Sequence, residues 1–230
     1  MWRYLEEEYE EDCCVVTHIN GFKKIKVWGR LSSSNVKKVM WLADELKLAA
    51  ERIDAGRQYG VVDTPAYKAL NPNSKVPTIE DGDFVLWESN SIMRYLCMKY
   101  GGEALYPVDA ATRADIDRWL DWSLSILVPA ESPLFLATIR TPAEKQDKAA
   151  IAEGGKRLAE IYAILERWLE GRDYLVKEFS IADLGLSIFV DRWLRNPFLS
   201  GRPKSPALSA WIARIRPRHG FQTYVDVPLE

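Results

Sequence analysis

Apolar and polar positions along the chain follow two regimes that meet between residues 102 and 109. Upstream, short apolar runs alternate with helical stripes. Ile25-Lys26-Val27-Trp28 predicts a strand. Behind the polar turn at residues 29–35, Val36, Val39, Ala43 and Leu46 recur at helical spacing, broadened by Met40 and Leu42. Residues 50–54 predict a second strand, and Thr64-Pro65 starts a short helix that ends near Leu70. Residues 76–79 and 84–87 predict a hairpin around Asp81-Gly82. Ser89 is a good N-cap for a helix with Ile92, Met93, Leu96 and Tyr100 on its apolar side, closed by Gly101-Gly102. The order β-α-β-α-β-β-α predicts an α/β unit, a small mixed sheet of four strands covered by helices.

Downstream no strand pattern returns. Residues 110–127 predict a helix with Ile116, Trp119, Leu120, Ser123 and Leu127 inward, broken by Pro129 and Pro133. Thr141-Pro142 predicts the start of the next helix, which buries Leu158, Ile161, Tyr162, Leu165 and Trp168 or Leu169. Gly154-Gly155 weakens its middle by about 1 kcal/mol each relative to alanine, which predicts a break there. Ser180-Ile181-Ala182-Asp183 is a capping box. The helix it opens, to about residue 194, is apolar almost all round and so belongs in the middle of a bundle. Ser205-Pro206 starts a last helix with Leu208, Trp211, Ile212 and Ile215 inward. The expected organisation is an acidic extension (1–23), an α/β domain (24–102), a linker (103–109) and an all-helical domain (110–230).

Composition narrows the function. The 230 residues, 47% hydrophobic and 28% charged, suffice for a sizeable core. A formal net charge of −2 excludes long-range attraction to nucleic acid or anionic lipid as the main function. No apolar run is expected to reach the roughly 20 residues of a membrane span, and the acidic start lacks the pattern of a secretory leader. Cys13, Cys14 and Cys97 make no disulfide framework, and no Cys/His cluster has metal spacing. The expectation is a cytoplasmic protein with reduced thiols and with no metal, membrane or nucleic-acid partner. Vicinal Cys13-Cys14 has no neighbouring group to lower its pKa, and His18 and His219 lack the context for acid–base chemistry.

The turn and helix SSSNVKKVMWLADEL, the segments KVPTIEDGD and WESNSIMRYL, and the box SIADL occur in an order and spacing that resemble the cytosolic glutathione transferases. The resemblance covers about residues 24–220 and is greatest to bacterial members with serine, rather than tyrosine, after the first strand. It implies a thioredoxin-like N-terminal domain, an all-α helical-bundle C-terminal domain, and glutathione as co-substrate. Pro77 matches the family's cis-proline, so that Val76 offers its backbone N–H and C=O to the cysteinyl part of glutathione. Glu88 and Ser89 match the motif that holds the γ-glutamyl end. Ser89 would act at a helix N-terminus, where free N–H groups favour a carboxylate, and Glu88 would accept from the ammonium group. Lys75 is a candidate for the glycyl carboxylate. Asp183 matches a buried capping aspartate.

A free thiol has a pKa near 8.5, and lowering it by two pH units requires about 2.7 kcal/mol. A hydroxyl donor at a helix N-terminus supplies much of that. Counting back from Val39, as in serine-type members, selects Ser33, with Asn35 near the sulfur and Ser32 as the next candidate. No cysteine lies at the strand–helix junction, so the protein cannot use its own thiol there as thioredoxin does. Trp119, Trp122 and Phe135 are candidates for the apolar wall of an electrophile pocket. The resemblance thus implies a homodimeric glutathione transferase that conjugates glutathione to an apolar electrophile. A glutathione-dependent disulfide or peroxide reductase and a non-catalytic binding module are the alternatives.

Overall fold

Four short strands place alternate side chains on the two faces of one sheet, and that alternation decides where the helices pack. The computed structural model describes residues 24–199 and 201–229. The acidic extension, Cys13, Cys14 and His18 lie outside the described residues. In chain order the first half comprises β1 (Ile25–Trp28), α1 (Ser34–Glu45), β2 (Ala50–Ile53), α2 (Pro65–Leu70), β3 (Thr78–Asp81), β4 (Phe84–Trp87) and α3 (Ser89–Lys99). The strand order is β2-β1-β3-β4, with β1 parallel to β2 and the other pairs antiparallel. Ile25, Val27 and Ile79 are buried in one cluster with Val36, Val39 and Leu42 of α1 and Ile92 and Leu96 of α3. This is the thioredoxin-like half, with α1 and α3 on the sheet.

The second half is helical: α4 (Ala110–Trp122), α5 (Val128–Phe135), α6 (Lys148–Leu169), α7 (Ile181–Arg195), α8 (Pro206–Ile215) and α9 (His219–Tyr224). Helix α7 is buried along nearly its whole length and packs against α1, α4 and α8. Its capping box is complete. Asp183 accepts from the backbone N–H and hydroxyl of Ser180, from Leu175 N–H at 2.9 Å and from Trp211 Nε1 at 2.9 Å.

Four expectations are corrected. Pro129 and Pro133 do not end the first bundle helix: the helical stretch runs through residues 110–140, with π-helical turns at Ser123–Leu127 and Leu136–Arg140. A π turn shifts the hydrogen-bond partner by one residue and so absorbs a site where proline has no N–H to give. By length and composition this stretch is apolar enough to cross a membrane, contrary to the expectation. Here it packs on α6 and α7 and carries the buried Glu131. Helix α6 begins at Asp147, whose carboxylate accepts from Ala149 and Ala150 N–H, and Thr141-Pro142 leads only into a 3-10 turn. Gly154-Gly155 makes no break: a Cβ on either would stand 3.3 Å from Leu134 or Leu199, so these positions are where α6 meets its neighbours closely.

Helix α9 returns to α1. Arg218 makes a two-bond contact with Glu45, at 2.8 and 2.8 Å, and His219 Nδ1 lies 2.9 Å from Asp44. Gly220 packs against the Trp41 ring so closely that any side chain would collide with it, and Phe221 meets that ring edge-on at 5.6 Å.

Candidate functional site

The β1–α1 turn delivers a helix start with no acidic residue in its own first turn. Ser33 is the N-cap of α1, with extended backbone (φ −88°, ψ 120°), and its side chain makes no capping hydrogen bond. The free N–H groups and macrodipole there favour an anion. Ser34 and Asn35 are the first two residues of the helix, half-buried beside Ser32 and Ser33.

A second helix start lies at the end of β4. Glu88 is the N-cap of α3 and holds φ at +70°, a left-handed conformation that costs a non-glycine residue about 1–2 kcal/mol. Ser89, expected as the cap, is instead the first helical residue, and it is buried. Before β3, the Val76–Pro77 peptide is cis, and Val76 stands outside the register that begins at Thr78. The turn leading there is pinned by Lys75 O, which accepts from Tyr67 Oη at 2.7 Å and Asn71 Nδ2 at 2.9 Å, while the Lys75 side chain is exposed.

Lys38 joins the two helix starts from behind. It is fully buried, donates to Asn90 Oδ1 at 3.3 Å, and lies 5.0 Å from the centre of the Phe189 ring. Burial lowers its pKa from 10.5 to about 8, against the opposing pull of the Glu88 carboxylate.

Between the α/β half and the bundle lies a narrow cleft of about 20 Å³. Ser32, Ser34, Lys37, Phe135, Asp191 and Arg192 line it, with Val225 and Leu229 at its edge. Arg192 dominates its chemistry. The guanidinium donates to Ser34 Oγ at 2.6 Å, lies 3.3 Å above the centre of the Phe135 ring, and pairs through Nε with Glu131 Oε1 at 3.3 Å. Burial lowers the Arg192 pKa and raises that of Glu131, so each ion depends on the other. Arg140 donates to Ser32 O at 3.1 Å, adding a second cation on the same side.

Of the predicted site residues, the fold brings Ser32, Ser33 and Asn35 to one helix start and Glu88 and Ser89 to another, with Lys75, Val76 and Pro77 on the adjoining turn. Of the three aromatic residues, Phe135 alone lines the cleft. Trp119 is buried and meets Trp122 and Trp168 with ring centres 5.4 Å apart in each pair. A cavity of about 670 Å³ between α6 and the segment after α7 includes none of the predicted residues. Sequence reasoning placed Ser34 at the helix start without assigning it a role, and missed Lys38, Glu131 and Arg192. The signal for one of them was a lone charge in an apolar stretch, Glu131 between the α5 prolines.

Residues 23–97 match the family described as glutathione S-transferase, N-terminal domain, and residues 124–218 match glutathione S-transferase, C-terminal domain. The chain is 35% identical over 213 residues to glutathione S-transferase GstB of Escherichia coli K12, covering 89% of this chain and 99% of that one. It is 30% identical over 218 residues to glutathione S-transferase 3 of Zea mays, covering 89% and 95%. Among solved structures, the theta class glutathione S-transferase from Xanthomonas axonopodis pv. citri with glutathione bound superposes with a TM-score of 0.85 at 42% identity, covering 90% of this chain and 99% of that one.

Proposed function

We propose that this chain, which belongs to the glutathione S-transferase family and is a transferase, stabilises the glutathione thiolate with Ser33 and Asn35 and delivers it to a small electrophile. Val76 and Pro77 would hold the cysteinyl part, Glu88 and Ser89 the γ-glutamyl end, and Lys75 the glycyl carboxylate. Phe135 supplies the apolar wall against the electrophile, and the reading sets the protein in the cytoplasm, where thiols stay reduced. The observation that carries it is the Ser33 hydroxyl, placed at the start of α1 and not consumed in capping that helix. A donor there, added to the helix field, favours a thiolate over a thiol.

The test is the ionisation of bound glutathione, followed by thiolate absorbance and by the pH profile of kcat/KM. Ser33→Ala is expected to raise the pKa of the bound thiol by about one pH unit or more, equivalent to about 1.4 kcal/mol, while retention on immobilised glutathione persists. An unchanged profile in Ser33→Ala and Asn35→Ala would sink the assignment.

The same reading includes a homodimer. Phe84, Trp87 and Met98 are exposed on β4 and α3, and Leu124 and Ile126 on the turn after α4, more apolar surface than either element needs for its own core.

A further inference from the structure

Arginine has donors and no acceptor. The hydrogen bond between Arg192 and Ser34 at 2.6 Å therefore runs one way, from guanidinium to Oγ. The Ser34 hydroxyl proton must point elsewhere, and among the described residues it has no acceptor. Ser34 itself lines the cleft. A cation donating to its oxygen also makes the remaining O–H a stronger donor.

The orientation is enforced from three elements. Glu131 of α5 holds Arg192 Nε at 3.3 Å without the alignment of a hydrogen bond, and the Nε–H and Glu131 Oε2 are both buried with no hydrogen-bond partner among the described residues. Phe135 covers the guanidinium face at 3.3 Å. The Arg192 side chain is only 13% exposed, and Ser34 sits at the first position of α1, where the helix field adds to the donor.

We propose that Ser34 is a catalytic donor for the electrophile, distinct from the thiolate donor, and that Arg192 is its positioning residue. The proposal rests on the glutathione-transferase reading above. The matching electrophiles are those in which attack by sulfur places negative charge on an oxygen, of which α,β-unsaturated ketones are the class. The thiolate lone pair forms the C–S bond at the β-carbon, and the C=C electron pair moves toward the carbonyl, leaving an enolate oxygen. Ser34 donates a hydrogen bond to that oxygen. A solvent proton then goes to the α-carbon, replacing the one lost when the thiol ionised. A donor already aimed at developing oxyanion charge acts in the transition state more than in the ground state.

The experiment compares conjugation of 4-phenyl-3-buten-2-one with that of an alkyl iodide, whose departing iodide accepts hydrogen bonds poorly. Ser34→Ala is expected to lower kcat/KM for the enone by about 10²-fold, at least tenfold more than for the iodide, and Ser34→Thr restores the enone activity. Because Arg192→Met alone strands a buried carboxylate, Arg192→Met is made together with Glu131→Gln. That pair is expected to reproduce the Ser34→Ala selectivity, with no further loss when Ser34→Ala is added. Equal losses on the two electrophiles, or none on the enone, overturn the proposal. Wild-type protein that neither binds immobilised glutathione nor conjugates either electrophile overturns the underlying reading instead.

Discussion

Replacing Lys38 with methionine tests the electrostatics of the junction between the two helix starts. Lys38 has no exposure, one hydrogen bond of 3.3 Å to Asn90 and the Phe189 ring 5.0 Å away. Its pKa falls from 10.5 to about 8 because burial penalises the ammonium more than the Glu88 carboxylate favours it. In the unfolded chain the amine keeps its ordinary value. Between pH 8 and pH 10.5 the unfolded state therefore binds the proton that the folded state has released. Stability then rises with pH across that window, and the penalty for the buried charge is fully present below pH 8. At about 1.36 kcal/mol per pH unit, the whole effect is about 3 kcal/mol. Other lysines and tyrosines titrate in the same range, so the informative quantity is the difference between wild type and Lys38→Met. Urea unfolding at pH 7, 8, 9 and 10 measures it. Methionine removes the penalty and leaves Asn90 Oδ1 without a donor, costing about 1–3 kcal/mol, so the two proteins are expected to lie within about 2 kcal/mol at pH 7. Wild type should then gain on the variant steadily as the pH climbs above 8. A difference that stays flat from pH 7 to 10 would refute the reasoning.

Two further outcomes follow from the packing. Asp183→Ala leaves four buried donors without their acceptor, each worth about 1–3 kcal/mol, so chemical denaturation should show a loss of at least about 4 kcal/mol, and a loss below 1 would contradict the hydrogen-bond assignment. Sedimentation velocity should show a species of twice 26.3 kDa, shifted toward the monomer by Met98→Glu, which puts a charge on an exposed apolar position of α3; a monomer at every concentration would exclude the dimer.

Much of this fold was readable wherever the signal was local. The Ile25–Trp28 strand, the Asp81-Gly82 turn and the Ser180 box each carry their structural instruction within four residues. The errors arose where two local signals compete. Thr141-Pro142 is as good a helix start as Asp147, and only the packing of α6 decides between them. Pro129 and Pro133 read as breakers because a sequence does not show that π turns will surround them. The site divides along the same line. Ser33, Pro77, Glu88 and Ser89 belong to contiguous motifs at element ends. Arg192 reaches Ser34 across 158 positions of sequence, and no periodicity relates two side chains so far apart. Trp119 shows the converse limit: its helical spacing predicts an inward side chain, and a buried tryptophan looks the same in the sequence whether it faces a cleft or another tryptophan.

The grip of α9 on α1 has a consequence for synthesis. Glu45 and Arg218 are separated by 173 residues, so the outer face of α1 waits for most of the chain before this cover exists. At about 5–20 residues per second, that wait is roughly ten to thirty seconds. For the part of that wait after β4 is made, Trp41 lacks its Phe221 cover on a nascent α/β half whose sheet is complete. The bundle is thus a late-arriving lid on the first domain, and a message cut short near its 3′ end would leave its damage at the other end of the protein.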